Sequence, residues 1–200
     1  MIRRVLPLVL GAILAGVGAA PAAAFDPGER FARGARLLSL EAGAGVQDNL
    51  EGGFQSDLEL WYAGARVSLV PFGPTGAGGP FYGAFDVGLE PLYVRYGGPT
   101  RAFFAGLGAV GRYHFLSLGR LAPFVEVGAF AGGTDLEVRE IDSAFTFLLE
   151  GTVGLAYFMA DNVSLYAGYR FIHVSNGNTD RPNRGFEAHS GLAGVTFHFR

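Results

Sequence analysis

Apolar and polar positions alternate along this chain in eight segments of roughly 10 to 16 residues, and clusters of Gly, Pro, Asp and Asn separate them. The segments run approximately over residues 35–46, 56–71, 81–96, 101–116, 121–132, 144–159, 163–176 and 187–199. Helical periodicity is absent, and the strands fill residues 25–200 without leaving room for a second domain. The pattern therefore predicts one all-β domain of antiparallel strands.

The two faces of these strands differ in a way that bears on their environment. In segment 144–159 the apolar parity carries Phe145, Phe147, Leu149, Val153, Leu155 and Tyr157. The opposite parity is mostly small or uncharged, and a water-exposed face would need a denser set of charges than 16% of the residues can supply. We therefore predict an eight-stranded antiparallel transmembrane β-barrel of the outer-membrane type, with a narrow polar lumen, rather than a soluble β-sandwich.

Isolated charged residues on the inward parity are interpreted as lumen ion pairs rather than catalytic groups. They are Glu41, Asp86, Glu90, Arg112, Glu126, Glu150 and Arg170. His114, His189 and His198 show no metal-ligand spacing with acidic residues. No metal or organic cofactor is implied.

The connections between strands are asymmetric. Residues 47–55, 133–143 and 177–186 form longer polar loops, whereas 117–120 and 160–162 are tight turns. If the N-terminus is periplasmic, the three longer loops all lie on the extracellular side, as in outer-membrane barrels. The Gly- and Pro-rich stretch 73–80 is an exception, a longer turn on the periplasmic side.

Residues 1–24 are predicted to be a cleaved signal peptide, with Arg3 and Arg4 before an apolar run and Ala22–Ala24 at the cleavage site. The longest uncharged stretch after it, 67–85, is interrupted by prolines and glycines and cannot form a spanning helix. The basic residues are all arginines and are scattered, so nucleic-acid binding is not indicated. The absence of cysteine excludes disulfides and thiolate chemistry.

Candidate chemistry is concentrated near the C-terminus. His173 and Ser175 are two residues apart, so their side chains share one face of a strand, which is the lipid-facing parity. Glu187 opens the next strand on its outward parity. A serine hydroxyl is a weak nucleophile until a base takes its proton, and an imidazole base needs an acid to fix its tautomer. The three residues predict an esterase-like site that faces lipid.

The spacing of this cluster resembles that of the lipid A 3-O-deacylase (PagL) family of outer-membrane barrels. In that family a His-x-Ser-Asn motif ends the penultimate strand, Pro-Asn follows in the last loop and Glu opens the final strand. The matching residues here are His173, Ser175, Asn176, Pro182, Asn183 and Glu187. The motif covers roughly residues 169–187, and its joint pattern is specific.

The resemblance implies a role for each matching residue. Ser175 would be the nucleophile, His173 the general base and Glu187 the acid that orients it. Asn183 would supply the side-chain oxyanion donor, and Asn176 a structural or oxyanion contact. The substrate would be lipid A, from which the ester-linked 3-hydroxyacyl chain at position 3 is removed in the outer membrane.

The chain departs from the family where Gly177-Asn178 replaces the usual Ala-Gly after the Ser-Asn pair, so a backbone donor at Asn178 is not implied. Two alternatives to this function stay open at this stage. One is a non-enzymatic small barrel, an adhesin or structural protein. The other is a different lipid-acting barrel enzyme, a palmitoyl transferase or a phospholipase. The oligomeric state, monomer or homodimer, is also left open.

Overall fold

The computed structural model describes residues 25–50 and 54–199, and the predicted signal peptide lies outside them. The described chain begins with a short helix, α1 (Pro27–Arg30), which the alternation did not predict. Eight strands follow: β1 (Arg36–Gln47), β2 (Glu59–Leu69), β3 (Gly83–Tyr96), β4 (Ala102–Phe115), β5 (Leu121–Thr134), β6 (Phe145–Ala160), β7 (Val163–Ser175) and β8 (Phe186–Phe199). Each overlaps one predicted segment, so the predicted strand plan is confirmed.

The strands form a closed antiparallel barrel in chain order. Closure is made by β1 and β8, which pair from Arg36 opposite Phe199 to Gln47 opposite Ala188. The sheet therefore has no free edge to pair with another chain. None of the helical segments among the described residues is long and apolar enough to span a membrane.

The outer wall of the barrel is apolar. Large side chains exposed on it include Trp61, Val67, Leu89, Leu107, Val127, Leu149, Val153 and Leu155. An exposed apolar band of this kind would be unfavourable in water but matches the hydrocarbon core of a membrane. The apolar positions of the alternating pattern thus face the lipid, and the positions between them face the packed lumen.

The lumen is filled by an ion-pair network. Arg170 lies 2.6 Å from Glu41, 3.0 Å from Glu126 and 3.1 Å from Glu150. Arg112 contacts Glu126 at 2.6 Å. Mutual pairing offsets much of the cost of removing these charges from water. These contacts confirm the predicted lumen role of the inward charges.

Two further residues of the network were not predicted as lumen partners. Arg66 is 1% exposed and contacts Glu126 at 2.5 Å and Glu90 at 3.7 Å. His114 contacts Asp86 at 2.8 Å. Both lie on the inward parity of their strands, which is the signal that could have assigned them.

Loops at one end of the barrel surround the candidate site. We call this end the loop rim; it consists of residues 48–50, 54–58, 97–101, 135–144 and 176–185. The three longer loops predicted to share one side do lie together here. The opposite end is closed by Phe31, which follows α1 and packs with its ring centroid 4.5 Å from that of His114.

Candidate active site

His173 and Ser175 lie on the outer wall at the loop-rim end of β7. Both are partly exposed, whereas Ile172 and Val174 between them are buried in the barrel. Arg170 is fully buried in the lumen. The prediction that the polar pair faces outward and Arg170 inward is therefore confirmed.

Glu187 is the cross-strand partner of His173. The two residues face each other in the β7–β8 register, and His173 Nδ1 lies 2.9 Å from Glu187 Oε1. A carboxylate only accepts hydrogen bonds, so this contact assigns the ring proton to Nδ1. The neutral ring then presents the Nε2 lone pair, which is the form that can accept a proton.

The Ser175 hydroxyl has no hydrogen-bond partner among residues 25–50 and 54–199. It is partly exposed at the last residue of β7. The structure thus brings His173 and Glu187 into direct contact and leaves Ser175 two residues along the same face. A free hydroxyl on the same strand face as an oriented imidazole, two residues away, is chemically available for attack on an ester.

Gly185 brings the last loop into close approach to this pair. Its φ is +66°, and a Cβ built there would lie 3.3 Å from His173 Cε1, 3.5 Å from the Ser175 Cβ and 2.7 Å from the Val174 carbonyl oxygen. A side chain at this position would be strained and would press on the backbone of β7. Only glycine fits this approach of the last loop to the site.

Gly185→Ala is therefore expected to reduce the activity of this candidate site about tenfold while the barrel still folds, because a small displacement of reacting groups is costly. Activity measured on the purified barrel, with folding read from heat-modifiable gel mobility, checks this. Gly34→Ala is a matched control, since Gly34 also has a positive φ of 85° but lies two residues before β1, at the end of the barrel opposite the site. Equal losses in both variants would contradict a local effect at Gly185.

Asn176 is fully buried and organises the last loop. Its Nδ2 donates to the carbonyl oxygens of Asp180 at 3.0 Å and Pro182 at 3.4 Å. Its Oδ1 accepts the Asn178 backbone N–H at 3.0 Å. With these contacts made, the side chain has a structural role in shaping the loop.

Asn183 is held against Asn176, the residue that follows Ser175 in the chain. Its Oδ1 accepts the backbone N–H of Asn176 at 2.9 Å, and its Nδ2 donates to Asn178 Oδ1 at 2.9 Å. An amide nitrogen carries two hydrogens, so one N–H stays available after the contact with Asn178. That is the donor an oxyanion would need.

Asn178 lies in the turn where Gly177-Asn178 replaces the family's usual Ala-Gly. Its φ is +64°, and the preceding Gly177 is also left-handed at +65°. Asparagine tolerates this region better than most residues with a side chain. Because its backbone N–H is already donated to Asn176 Oδ1, the geometry offers no backbone donor here.

A second outward polar pair lies next to the site and was not predicted. The Tyr169 hydroxyl forms a short hydrogen bond with His189 Nδ1, and Phe171 packs against His189 at 5.5 Å. His189 lies two residues after Glu187 on the same face of β8. The outward parity of Tyr169 and His189 was readable from sequence, but their pairing required the β7–β8 register.

Phe171 gives a test of which face meets lipid. The chain has no cysteine, so Phe171→Cys introduces a single thiol. We expect a water-soluble thiol reagent to label it slowly in micelles or vesicles, because the outer wall is covered by detergent or lipid. Asp180→Cys is the matched control, because Asp180 is exposed in the last loop, and it should label quickly. Equally rapid labelling at both positions would place Phe171 in water.

Among the residues that the structure describes, no group of three or more His, Asp or Glu side chains could hold a metal ion. The donor set at the site consists of one imidazole, one carboxylate and one hydroxyl. The chemistry that these groups support directly is proton transfer coupled to nucleophilic attack.

A closed eight-stranded barrel with an apolar outer wall and a filled polar lumen is an outer-membrane β-barrel. A family model, Lipid A 3-O-deacylase (PagL), matches residues 28–196. The chain therefore belongs to the lipid A 3-O-deacylase (PagL) family, whose members are lipid A deacylases of the bacterial outer membrane. This confirms the family suggested by the sequence motif.

Solved structures show the same architecture. The crystal structure of the outer-membrane enzyme PagL aligns with a TM-score of 0.61 and 18% identity, covering 78% of this chain and 97% of that one. Neisserial surface protein A aligns with a TM-score of 0.56 and 19% identity, covering 84% and 100%. These likenesses concern the fold. No curated protein sequence matches the chain.

Proposed function

We propose that this protein hydrolyses the ester-linked 3-hydroxyacyl chain at position 3 of lipid A, using Ser175, His173 and Glu187 as a catalytic triad. The observation that carries the proposal is the 2.9 Å contact between His173 Nδ1 and Glu187 Oε1 on the outer wall, with the free Ser175 hydroxyl two residues from His173 on the same strand face. Polar groups turned toward lipid are costly unless a function requires them. A membrane-embedded ester provides that requirement.

In the first half-reaction the Ser175 Oγ attacks the ester carbonyl carbon while His173 Nε2 takes the hydroxyl proton. Glu187 stabilises the imidazolium that forms. Asn183 Nδ2 would donate its remaining hydrogen to the developing oxyanion. The carbon–oxygen bond to the sugar then breaks, the sugar oxygen receives the proton from His173, and the acyl group stays on Ser175.

In the second half-reaction water replaces the sugar. His173 takes a proton from water as it attacks the acyl-serine carbonyl, and then returns that proton to Ser175 Oγ. The products are a 3-hydroxy fatty acid and a lipid A with one acyl chain fewer. The outward position of the site supports this reaction, because a lipid in the outer leaflet can reach it without entering the filled lumen.

Mass spectrometry of lipid A from cells with and without the protein tests the proposal. Loss of one hydroxyacyl chain only in cells that carry it is the expected result. An unchanged lipid A would favour a non-enzymatic barrel, and gain of an acyl chain would indicate a transferase. Fragment ions that retain the chain at position 3 and lose another would contradict the assigned position.

A further inference from the structure

Residues 48–50, which follow β1, reach across the β1–β8 seam and contact Glu187 at its backbone and at the carboxylate oxygen that His173 does not use. The Leu50 backbone N–H donates to Glu187 Oε2 at 3.2 Å. The Glu187 backbone N–H donates to Asn49 Oδ1 at 3.2 Å, and the Asp48 N–H donates to the Glu187 carbonyl oxygen at 3.0 Å. With Oε1 directed at His173, the residue is held at its backbone and at both carboxylate oxygens.

Asn49 is itself linked through Gln47 to a buried carboxylate, that of Glu140. Gln47 Nε2 donates to Asn49 Oδ1 at 3.1 Å and to Glu140 Oε1 at 2.8 Å. Glu140 also accepts the backbone N–H of Ser56 at 2.8 Å and its hydroxyl at 2.6 Å. In addition, the Glu140 carbonyl oxygen accepts the Arg184 N–H from the last loop at 2.8 Å.

Glu140 thereby joins three loops of the loop rim, although its side chain makes no contact with the triad. It is 1% exposed, and burial alone would raise its pKa. The hydrogen bonds from Ser56 and Gln47 outweigh burial and lower the pKa of Glu140 below its ordinary value. Its carboxylate is therefore charged at neutral pH and is a firm anchor for Gln47.

We propose that Asn49 is a positioning residue that fixes Glu187 for its contact with His173, with Gln47 and Glu140 holding Asn49 in place. This inference rests on the proposed function of Glu187. Glu187 is the second residue of β8, at the end of a strand, where the barrel ladder alone constrains a side chain weakly. Fixing such a carboxylate within a fraction of an ångström keeps the imidazole productively oriented.

Asn49→Ala in the full-length barrel is expected to lower kcat about tenfold with KM unchanged, because Asn49 acts through Glu187 and not on the substrate. Asn49→Asp keeps an oxygen acceptor for the Glu187 N–H and should restore most of the rate. Asn162→Ala is the matched control, an exposed asparagine in the turn at the opposite end of the barrel, and should leave kcat unchanged. Heat-modifiable gel mobility verifies folding of each variant.

A double-mutant cycle separates positioning from general loop damage. In the Glu187→Ala background, Asn49→Ala should have no further effect on kcat, because the residue that it positions is gone. A second tenfold loss in that background would overturn the inference, as would a normal kcat for Asn49→Ala alone. If Glu187→Ala itself retains full activity, the triad proposal fails instead, so the two failures are distinguishable.

Discussion

Replacing Ser175 with alanine is expected to leave a folded barrel whose deacylation is reduced by about three orders of magnitude or more. The hydroxyl makes no hydrogen bond within the described residues, so its removal costs the fold little. It would be the atom that forms the acyl intermediate, so its removal eliminates the first covalent step. Release of 3-hydroxy fatty acid from purified lipid A, followed over time, measures the loss.

Ser117→Ala is the matched control for this variant, since Ser117 is exposed in a turn at the opposite end of the barrel. It should have wild-type activity and the same heat-modifiable mobility as Ser175→Ala. Wild-type activity in Ser175→Ala would exclude the serine mechanism. If Ser175→Ala lost its heat-modifiable mobility, the substitution would have affected the fold. A Ser175→Cys variant would then test whether this position supplies the nucleophile.

Substitution of Glu187 should produce a graded loss. Glu187→Ala removes both the acceptor for His173 Nδ1–H and the negative charge that stabilises the imidazolium, and we expect kcat to fall about a thousandfold. Glu187→Gln keeps an oxygen acceptor but not the charge, so its loss should be smaller than that of Glu187→Ala and of Ser175→Ala. Rates of the two variants at saturating substrate give the comparison.

Glu137→Gln provides the charge-matched control for the Glu187 series. Glu137 is exposed in the loop 135–144, so neutralising it changes the charge of the same rim without touching His173. Its activity should be unchanged. If both Glu187 variants also retained full activity, Glu187 would be an ordinary acid at a strand end and His173 would need no partner.

The strand plan was readable from sequence because a barrel wall in lipid enforces alternation along every strand. β7 begins at Val163, the predicted residue, and ends at Ser175, one residue before the predicted end. β2 is shorter than predicted, running over Glu59–Leu69 rather than 56–71, since its ends leave the ladder to join the loops. The helix Pro27–Arg30 has four residues, too few to show a helical period.

Parts of the site could be derived from sequence and parts could not. Parity alone placed His173, Ser175 and Glu187 on the outward faces of adjacent strands, but the register that sets Glu187 opposite His173 is known only from the structure. The contacts of Asn49 and Leu50 with Glu187 span 138 and 137 positions in the chain. These contacts exist only because β1 pairs with β8. The local sequence of the loop carries no signal from which that pairing and its register could be predicted.

Because His173, Ser175 and Glu187 face the lipid, the proposed reaction would take place in the two dimensions of the membrane surface. Substrate would arrive, and the deacylated lipid would leave, by sideways diffusion in the plane of the leaflet rather than through bulk water. The turnover rate would then depend on the mole fraction of lipid A at the surface and not on its bulk concentration. Adding inert detergent or phospholipid at constant total lipid A should slow the enzyme by surface dilution alone, and a densely packed leaflet of substrate should sustain its highest rate.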